Sequence, residues 1–358
     1  MILLIRMSIK PILHLILYLS IFLLPFFLLS FLLSAPLTSI SSTKKCVLSI
    51  PNIIFLFFIP IKYSNNFLLD CLFSSIAIAS CLRYIDIFFL NPFFNKTDIY
   101  MSTYQIKAEV LKPIRRLPDP HEKTTNIKNV VTSYHILPSA IIFLLLYLIA
   151  YYYFLQFFTN DIAFSLPRYQ FLLFCFFCTI IIYLCMEIGN RFLIFFATLI
   201  LCGGEYDRNE WHLFFKNPWM STSLTDFWSI RWHQIFREIF VLFAYYPLKR
   251  LISNKIKPLF GKDYQKIGIM LEKIIPTIGV FFISGIMHEY IVWTSMYQFW
   301  KPGEQLLFFI LQAVGMFFEK LIFSFLSLPK WLGWLWTLMY LYFTLPLFIS
   351  PYIKQQPW

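Results

Sequence analysis

Ile136 to Phe158 read ILPSAIIFLLLYLIAYYYFLQFF, and this stretch decides the fold class. It contains no Asp, Glu, Lys or Arg. A helix needs about 20 consecutive apolar residues to cross the hydrocarbon core of a bilayer. The stretch is long enough for that, and it is too uniformly apolar for a barrel strand, in which lipid-facing and lumen-facing residues alternate. We therefore predict a transmembrane α-helix here.

Similar apolar stretches recur along the chain. Together they predict about eight spans: Pro11 to Leu33, Val47 to Tyr63, Phe67 to Leu90, Ile136 to Phe158, Tyr169 to Cys202, Ile274 to Trp300, Gln305 to Leu326 and Trp331 to Ser350. The first of these follows two basic residues, as in a signal peptide. It is longer than the apolar region of a signal peptide, so we expect a retained span. The stretch from Tyr169 is too long for one simple crossing.

The composition supports the same fold class. Of the 358 residues, 59% are hydrophobic and 13% are charged. Soluble domains average about 25% charged residues, so this chain has too little polar sequence to coat a soluble fold. We predict an all-α, polytopic transmembrane helical bundle, integral to a membrane.

The net charge of +12 is concentrated in a few loops. The two most basic stretches are Asn91 to Ser133 and Lys249 to Lys266, and the positive-inside rule predicts that both face the cytosol. Basic loops suit anionic lipid headgroups and also an anionic substrate. Nucleic-acid binding is disfavoured, because no basic domain stands apart from the spans.

Polar and aromatic residues alternate densely between Gly203 and Pro247. Ser223 has the form of a helix N-cap, and Asp226 can reach back to it. A helix that continues from there would carry an ionisable stripe beside a tryptophan wall, the stripe made of Asp226, Ser229, His233 and Arg237 and the wall of Trp228 and Trp232. This predicts a cytosolic or interfacial polar-aromatic helix. Its stripe is either a functional face or simply the polar side of a helix anchored at the membrane surface.

His288 lies well inside the apolar stretch FFISGIMHEYIVW, residues 281–293. Ionisable groups at that depth are rare and usually face a cavity, a partner or a pathway. Ser284 falls near the same helical face, one turn earlier. The alternative is a structural histidine that hydrogen-bonds to a carbonyl of a neighbouring helix.

No metal site is predicted. His288 and Glu289 begin like the HExxH of a zinc protease, but Val292 stands where the second ligand must be. Cys175 and Cys178 have CxxC spacing, but they lie in the apolar run FLLFCFFCTII, so we expect them to pack as small apolar residues. The chain also shows no P-loop and no GxGxxG.

Two stretches together resemble the membrane-bound O-acyltransferase superfamily, and within it the wax synthase group of plants and fungi. The first is NPWMSTSLTDFWSIRWH, residues 217–233, where the family shows a Pro, then Ser-Leu, Phe-Trp and Arg-Trp-His. Ser229 stands where a glycine is common, and Ile230 where an arginine is common. The second is SGIMHE, residues 284–289, which is similar to the segment with the superfamily's signature histidine. Many relatives carry a His-Gly pair followed by a Glu where this chain has Gln312 and then Glu319, so the resemblance assigns no role there.

The resemblance covers the C-terminal half and implies an enzyme that moves an acyl group from acyl-CoA to a lipid alcohol, as in wax ester synthesis. His288 would be the general base, and His233 and Asn217 would orient the thioester or stabilise the oxyanion. The residues expected to bind substrate are Trp228, Arg231, Asp226, Trp232, Arg237 and Ser284. Acyl-CoA would be a co-substrate, and no other cofactor is implied. The expected location is the endoplasmic reticulum membrane.

The resulting domain prediction is one membrane domain over residues 1–358. Residues 1–133 hold N-terminal spans and a basic cytosolic loop, and 134–358 form the catalytic half. One alternative is a related acyltransferase that uses a sterol or a secondary-metabolite alcohol, with acetyl-CoA as a further donor. A non-enzymatic lipid transporter or channel is the alternative from another class. Acyl-CoA, a hydrophobic alcohol and the bilayer are the expected partners, and the sequence does not indicate an oligomeric state.

Overall fold

The computed structural model describes residues 9–61, 67–95, 98–111, 131–157, 168–201, 203–207, 210–211, 214–259, 265–325 and 329–355. Within these residues the chain is almost entirely helical. The α-helices are α1 Ile9–Ser34, α2 Ser42–Phe58, α3 Phe67–Ile85, α4 Asn91–Asn95, α5 Thr103–Leu111, α6 Leu137–Phe157, α7 Arg168–Leu201, α8 Leu224–Asp226, α9 Arg237–Phe240, α10 Tyr246–Leu251, α11 Gln265–Ser295, α12 Glu304–Phe325 and α13 Lys330–Gln355. Two short strands, β1 Val131–Thr132 and β2 Glu205–Tyr206, pair antiparallel.

Seven helical stretches in the described part of the chain are long and apolar enough to cross a membrane. They are Ile16–Ser34, Leu69–Phe93, Ser133–Tyr153, Phe171–Ile200, Gly268–Ser295, Glu304–Phe323 and Lys330–Tyr352. The predicted fold class, an all-α polytopic membrane protein, is therefore confirmed. The long stretch from Tyr169 forms one continuous helix, α7, of 34 residues.

Seven of the eight predicted spans correspond to these helices, and the stretch from Val47 to Tyr63 does not. Its helix, α2, has only 17 residues and ends at Phe58. Its first turn also contains Lys44 and Lys45. Lys45 is fully buried, and its ammonium donates hydrogen bonds to the carbonyls of Ala35 and Ile99. A hydrophobic stretch shorter than about 18 residues is more typical of a buried helix than of a membrane span.

The chain divides into two compact units. The first comprises Met1–Lys107 and Trp293–Ser295 and contains α1 to α4 and the start of α5. Its core is apolar and rich in aromatic rings, and the rings of Tyr18 and Phe22 both pack edge to face against that of Phe73.

The second unit comprises Ala108–Val292 and Met296–Trp358. In it, α6 packs along α7, α12 packs along α13, and α13 also contacts α7. One cluster joins Phe174, Cys175 and Cys178 of α7 to Ile349 of α13. The two cysteines are buried in this apolar cluster, as expected from their sequence context. All residues of the two stretches that resemble acyltransferases lie in this unit.

Candidate active site

The polar-aromatic segment, residues 214–237, begins at a strained turn. Asn217 has φ 48° and ψ 64°, the left-handed region, and precedes a single 3₁₀ turn, Pro218–Met220. Asn adopts this conformation more readily than most residues, so an Asn-Pro pair suits the turn. The backbone N–H of Lys216 donates to the carbonyl of Arg231 at 2.9 Å, which closes the segment into a loop.

The helix start predicted at Ser223 is confirmed. Its hydroxyl accepts a hydrogen bond from the backbone N–H of Asp226 at 2.8 Å. The Asp226 carboxylate in turn accepts from the backbone N–H of Thr222 at 3.2 Å. The first of these bonds satisfies a donor that the first turn of a helix leaves without an intrahelical partner.

The prediction of one helix from Ser223 to Arg237 is wrong. Only Leu224–Asp226 is α-helical, Phe227–Arg231 is π-helical, and Trp232 is extended with ψ 158°. The Gln234 side chain stabilises this ending, because its amide donates to the carbonyls of Trp228 and Trp232 at 3.1 and 2.6 Å. The ionisable stripe therefore does not form, and Asp226, Ser229, His233 and Arg237 do not share a helix face.

Arg231 is bound within the segment itself. Its guanidinium pairs with the Asp226 carboxylate at 2.6 Å and donates to the carbonyls of Lys216 and Asn217, each at 3.3 Å. Arg237 starts the next short helix and is exposed. Asp226 and Arg231 thus fix the shape of the loop, whereas Arg237 remains accessible.

Aromatic rings form the inner side of the segment. The Trp228 ring lies 5.7 Å from that of Phe281, 6.3 Å from that of Phe308 and 5.9 Å from that of Phe309, measured between centroids. These three phenylalanines belong to α11 and α12 and form one apolar cluster with it. Trp228 therefore lies against two membrane-spanning helices.

His288 packs against the same cluster. Its ring is 4.4 Å from that of Phe309 and 5.6 Å from that of Phe348, between centroids. Its Nδ1 is 2.8 Å from the carbonyl oxygen of Ser284, one turn earlier in the same helix. A carbonyl oxygen only accepts, so Nδ1 carries a proton, and when the ring is neutral Nε2 is the unprotonated nitrogen.

The structure brings His233 into the same neighbourhood. Its ring contacts those of Trp232 and Phe236 at 5.7 and 6.0 Å. Burial lowers the pKa of His233 to about 3, and the nearby His288 imidazole adds to the lowering. Nδ1 of His233 is buried and has no hydrogen-bond partner among the described residues.

Of the other predicted site residues, some lie near His288 or His233 and others lie at the outer side of the segment. Ser284 is buried and supplies the carbonyl that orients His288. Trp232 stacks on Phe227 with centroids 5.1 Å apart and joins Trp228 to His233. Asn217 is exposed, and its carbonyl accepts from Met220 and Arg231. The segment thus turns Trp228, Trp232 and His233 toward the helices, and leaves Asn217 and Arg237 at its outer side.

Sequence reasoning left three acidic and amide side chains without a role. Glu289 accepts from the backbone N–H groups of Gln305 and Leu306 and from the Trp300 indole, at 2.9, 3.1 and 2.6 Å, and so caps α12 beside His288. Gln312 and Glu319 of α12 hydrogen-bond to the polar-aromatic segment. The signal that could have found them is a buried polar residue within an apolar span, which needs a partner.

The fold and this site define a polytopic helical membrane protein in which an oriented imidazole lies near a tryptophan-rich loop. Residues 211–311 match the profile of the family described as "Membrane bound O-acyl transferase family". This region contains both of the stretches that carried the resemblance. The resemblance recognised from the sequence is therefore confirmed over residues 211–311, which match this family.

Three curated proteins illustrate the similarity. "Acetyltransferase eriL" of Hericium erinaceus is 25% identical over 167 residues, 44% of this chain and 40% of that protein. "Probable long-chain-alcohol O-fatty-acyltransferase 7" of Arabidopsis thaliana is 31% identical over 157 residues, 43% of this chain and 39% of that protein. "Acyl-CoA--sterol O-acyltransferase 1" of the same plant is 35% identical over 77 residues, 22% and 19% of the two chains. The matched stretches thus span at most 40% of these relatives' lengths.

Proposed function

We propose that the protein transfers an acyl group from acyl-CoA to the hydroxyl of a long-chain lipid alcohol, in the endoplasmic reticulum membrane. The observation that carries the proposal is the 2.8 Å contact between Nδ1 of His288 and the Ser284 carbonyl. It fixes the tautomer that leaves Nε2 free to accept a proton. A neutral imidazole within an apolar setting is a suitable base for an alcohol.

In the proposed step, Nε2 of His288 takes the hydroxyl proton as the alcohol oxygen attacks the thioester carbonyl carbon. The new C–O bond gives a tetrahedral oxyanion. This collapses with cleavage of the C–S bond, and the departing thiolate takes the proton back from the imidazolium. Ester and free CoA leave, and no cofactor other than the acyl-CoA co-substrate is consumed.

His233 is the residue we assign to the oxyanion. Its lowered pKa keeps the ring neutral, so it carries one N–H that can donate to the developing negative charge. The buried Nδ1 has no partner among the described residues, so it is available to a substrate atom. Trp228 is less suited to this role, because its indole N–H already donates to Gln312 at 3.3 Å.

Exposed cations on one side of the segment suit the phosphates of CoA. Arg237 is exposed, and so are Lys249, Arg250 and Lys255 of the basic loop that follows. Guanidinium and ammonium groups bind phosphate through charge-assisted hydrogen bonds. Arg231 is already bound to Asp226, so we assign the phosphates to Arg237 and the loop.

The test is acyl transfer by isolated membranes, with labelled acyl-CoA and a panel of long-chain alcohols. His288→Ala is expected to lower the rate by at least about a hundredfold, because general base catalysis contributes about 10²–10⁴-fold. His135→Ala is the matched control, since His135 is an exposed histidine outside the site, and its rate should equal that of the wild type.

Two results would contradict the proposal. One is full acyl transfer by a His288→Ala variant that is present and membrane-inserted at the wild-type level. The other is a wild-type protein that transfers acyl groups to no alcohol in the panel, which would favour a non-enzymatic lipid transporter or channel.

A sterol or another secondary-metabolite acceptor is the second candidate. It is favoured by the 35% identity to the Arabidopsis thaliana protein named for acyl-CoA and sterol, although over only 77 residues. The match to a protein named an acetyltransferase adds acetyl-CoA as a possible donor. The same assay separates these cases when sterols and acetyl-CoA are included, because His288 would serve as base in each of them.

A further inference from the structure

α12 carries three buried polar side chains in one stripe. Gln305, Gln312 and Glu319 follow one another at seven-residue spacing and are 1%, 0% and 3% exposed. Seven residues are close to two helical turns, so the three side chains lie on one face of the helix. Polar side chains are costly within an apolar span unless they have partners. Two of these three find theirs in the polar-aromatic segment.

Glu319 binds the start of the segment's helix. Its carboxylate accepts the backbone N–H of Leu224 at 2.6 Å and is 3.5 Å from that of Thr225. These donors belong to the first turn, where the helix itself offers no acceptor. Leu224 is fully buried and packs at Gly315 on the same helix, where a side chain would overlap it. The start of the segment's helix is therefore fixed to α12 by both polar and apolar contacts.

Gln312 binds the segment near the middle of the membrane span. Its Oε1 accepts from the Trp228 indole N–H at 3.3 Å, and its amide nitrogen donates to the Thr344 hydroxyl of α13 at 2.9 Å. The Trp228 ring packs on Phe309, and the His288 ring packs on the same phenylalanine. Gln312 thus fixes the position and orientation of the Trp228 ring, which packs on the same phenylalanine as His288.

We propose that Gln312 and Glu319 are positioning residues that hold the polar-aromatic segment in a fixed position relative to His288. This rests on the proposed function, in which His233 of the segment must face a substrate held at His288. Neither residue acts on the substrate directly. Each acts through the segment, Glu319 at the start of the segment's helix and Gln312 one turn later.

The experiment compares Gln312→Leu and Glu319→Gln with Gln305→Leu. Gln305 is the matched control, because it belongs to the same stripe and is equally buried, but its amide donates to the carbonyls of Leu347 and Phe348 in α13. Misplacing a catalytic group by about 1 Å can cost roughly a hundredfold in rate. We expect kcat to fall about ten- to hundredfold in the first two variants, with KM for acyl-CoA changed less than about threefold. The control should keep kcat within about threefold of the wild type.

A second measurement tests the position of the segment independently of enzymatic activity. Hydrogen exchange of the purified protein in detergent should show faster exchange of the amides from Leu224 to Trp232 in Gln312→Leu and Glu319→Gln. The same amides should exchange at the wild-type rate in Gln305→Leu. A merely destabilising change would instead accelerate exchange throughout the unit in all three variants.

The two measurements distinguish the possible failures. If the wild type transfers no acyl group but the segment amides respond as described, the proposed function fails and the positioning role stands. If the wild type is active and the two variants match Gln305→Leu in both kcat and amide exchange, the positioning role is wrong.

Discussion

At the scale of single residues, the burial of His233 predicts how the stability of the protein depends on pH. Its pKa falls from the ordinary 6.5 to about 3 in the folded protein. Above about pH 6.5 both folded and unfolded forms carry a neutral ring. Between about pH 3 and pH 6.5 the unfolded chain binds the proton at His233 and the folded chain does not. The stability of the folded protein therefore falls as the pH falls through this range. We expect the wild type to lose thermal stability from about pH 7.5 to about pH 5, by at most about 1.4 kcal/mol for each pH unit below the unfolded value.

The control for this prediction is His233→Gln, which keeps an amide N–H but does not titrate. Unfolding of the detergent-solubilised protein, followed by intrinsic fluorescence, measures both variants across the same pH range. The variant should show a smaller decrease in unfolding temperature between the two pH values. Equal decreases in both proteins would show that His233 is accessible to protons in the folded state, contrary to its burial here.

At the scale of helices, α11 and α12 contact each other tightly at Gly285, three residues before His288. A Cβ at Gly285 would lie 2.8 Å from Cδ1 and 2.9 Å from Cα of Leu306. Because one of these atoms is backbone, the helices must move apart to accept it. Gly285→Ala is therefore expected to destabilise the protein by about 1–3 kcal/mol, as overpacking does, and to reduce acyl transfer.

Gly189→Ala is the matched control, because Gly189 also lies within a membrane-spanning helix but a Cβ there would meet nothing within 4 Å. Alanine is the better helix former, so that variant should be unchanged or more stable by up to about 1 kcal/mol. Thermal unfolding in detergent and acyl transfer in membranes measure both effects. A Gly285→Ala protein as stable and active as Gly189→Ala would mean that the two helices are not in close contact at His288.

The helices also show which parts of the fold could be predicted from the sequence and which could not. Long apolar helices such as α6 and α7 follow from hydropathy alone, because the bilayer allows few other structures. The Ser223 cap was also readable, since its bonds join residues that are close in sequence. The end of the helix at Trp232 was not, because it depends on Gln234 and on the backbone bond between Lys216 and Arg231, which sequence periodicity does not encode. Likewise, two of the partners of Gln312, Trp228 and Thr344, lie 84 and 32 residues away.

At the scale of the whole second unit, the polar-aromatic segment reaches the middle of the spans from one side. Trp228 binds Gln312, which lies near the centre of the span Glu304–Phe323, whereas Leu224 binds Glu319 near its end. Non-helical backbone at such a depth is tolerated where protein buries it and satisfies its polar groups. The segment and the basic loop after it both lie between α7 and α11, with no candidate span of the described chain between them.

If the protein uses acyl-CoA as proposed, this arrangement predicts which face of the membrane receives it. Leu259, in the basic loop, and Gly303, in the turn before α12, flank the single span Gly268–Ser295 and so lie on opposite faces. The positive-inside rule puts the basic loop in the cytosol. In sealed microsomes, a short epitope inserted after Leu259 should be cleaved by added protease, and one inserted after Gly303 should be cleaved only after detergent is added. The reverse pattern would place the exposed cations around Arg237 in the lumen, where they could not meet cytosolic acyl-CoA.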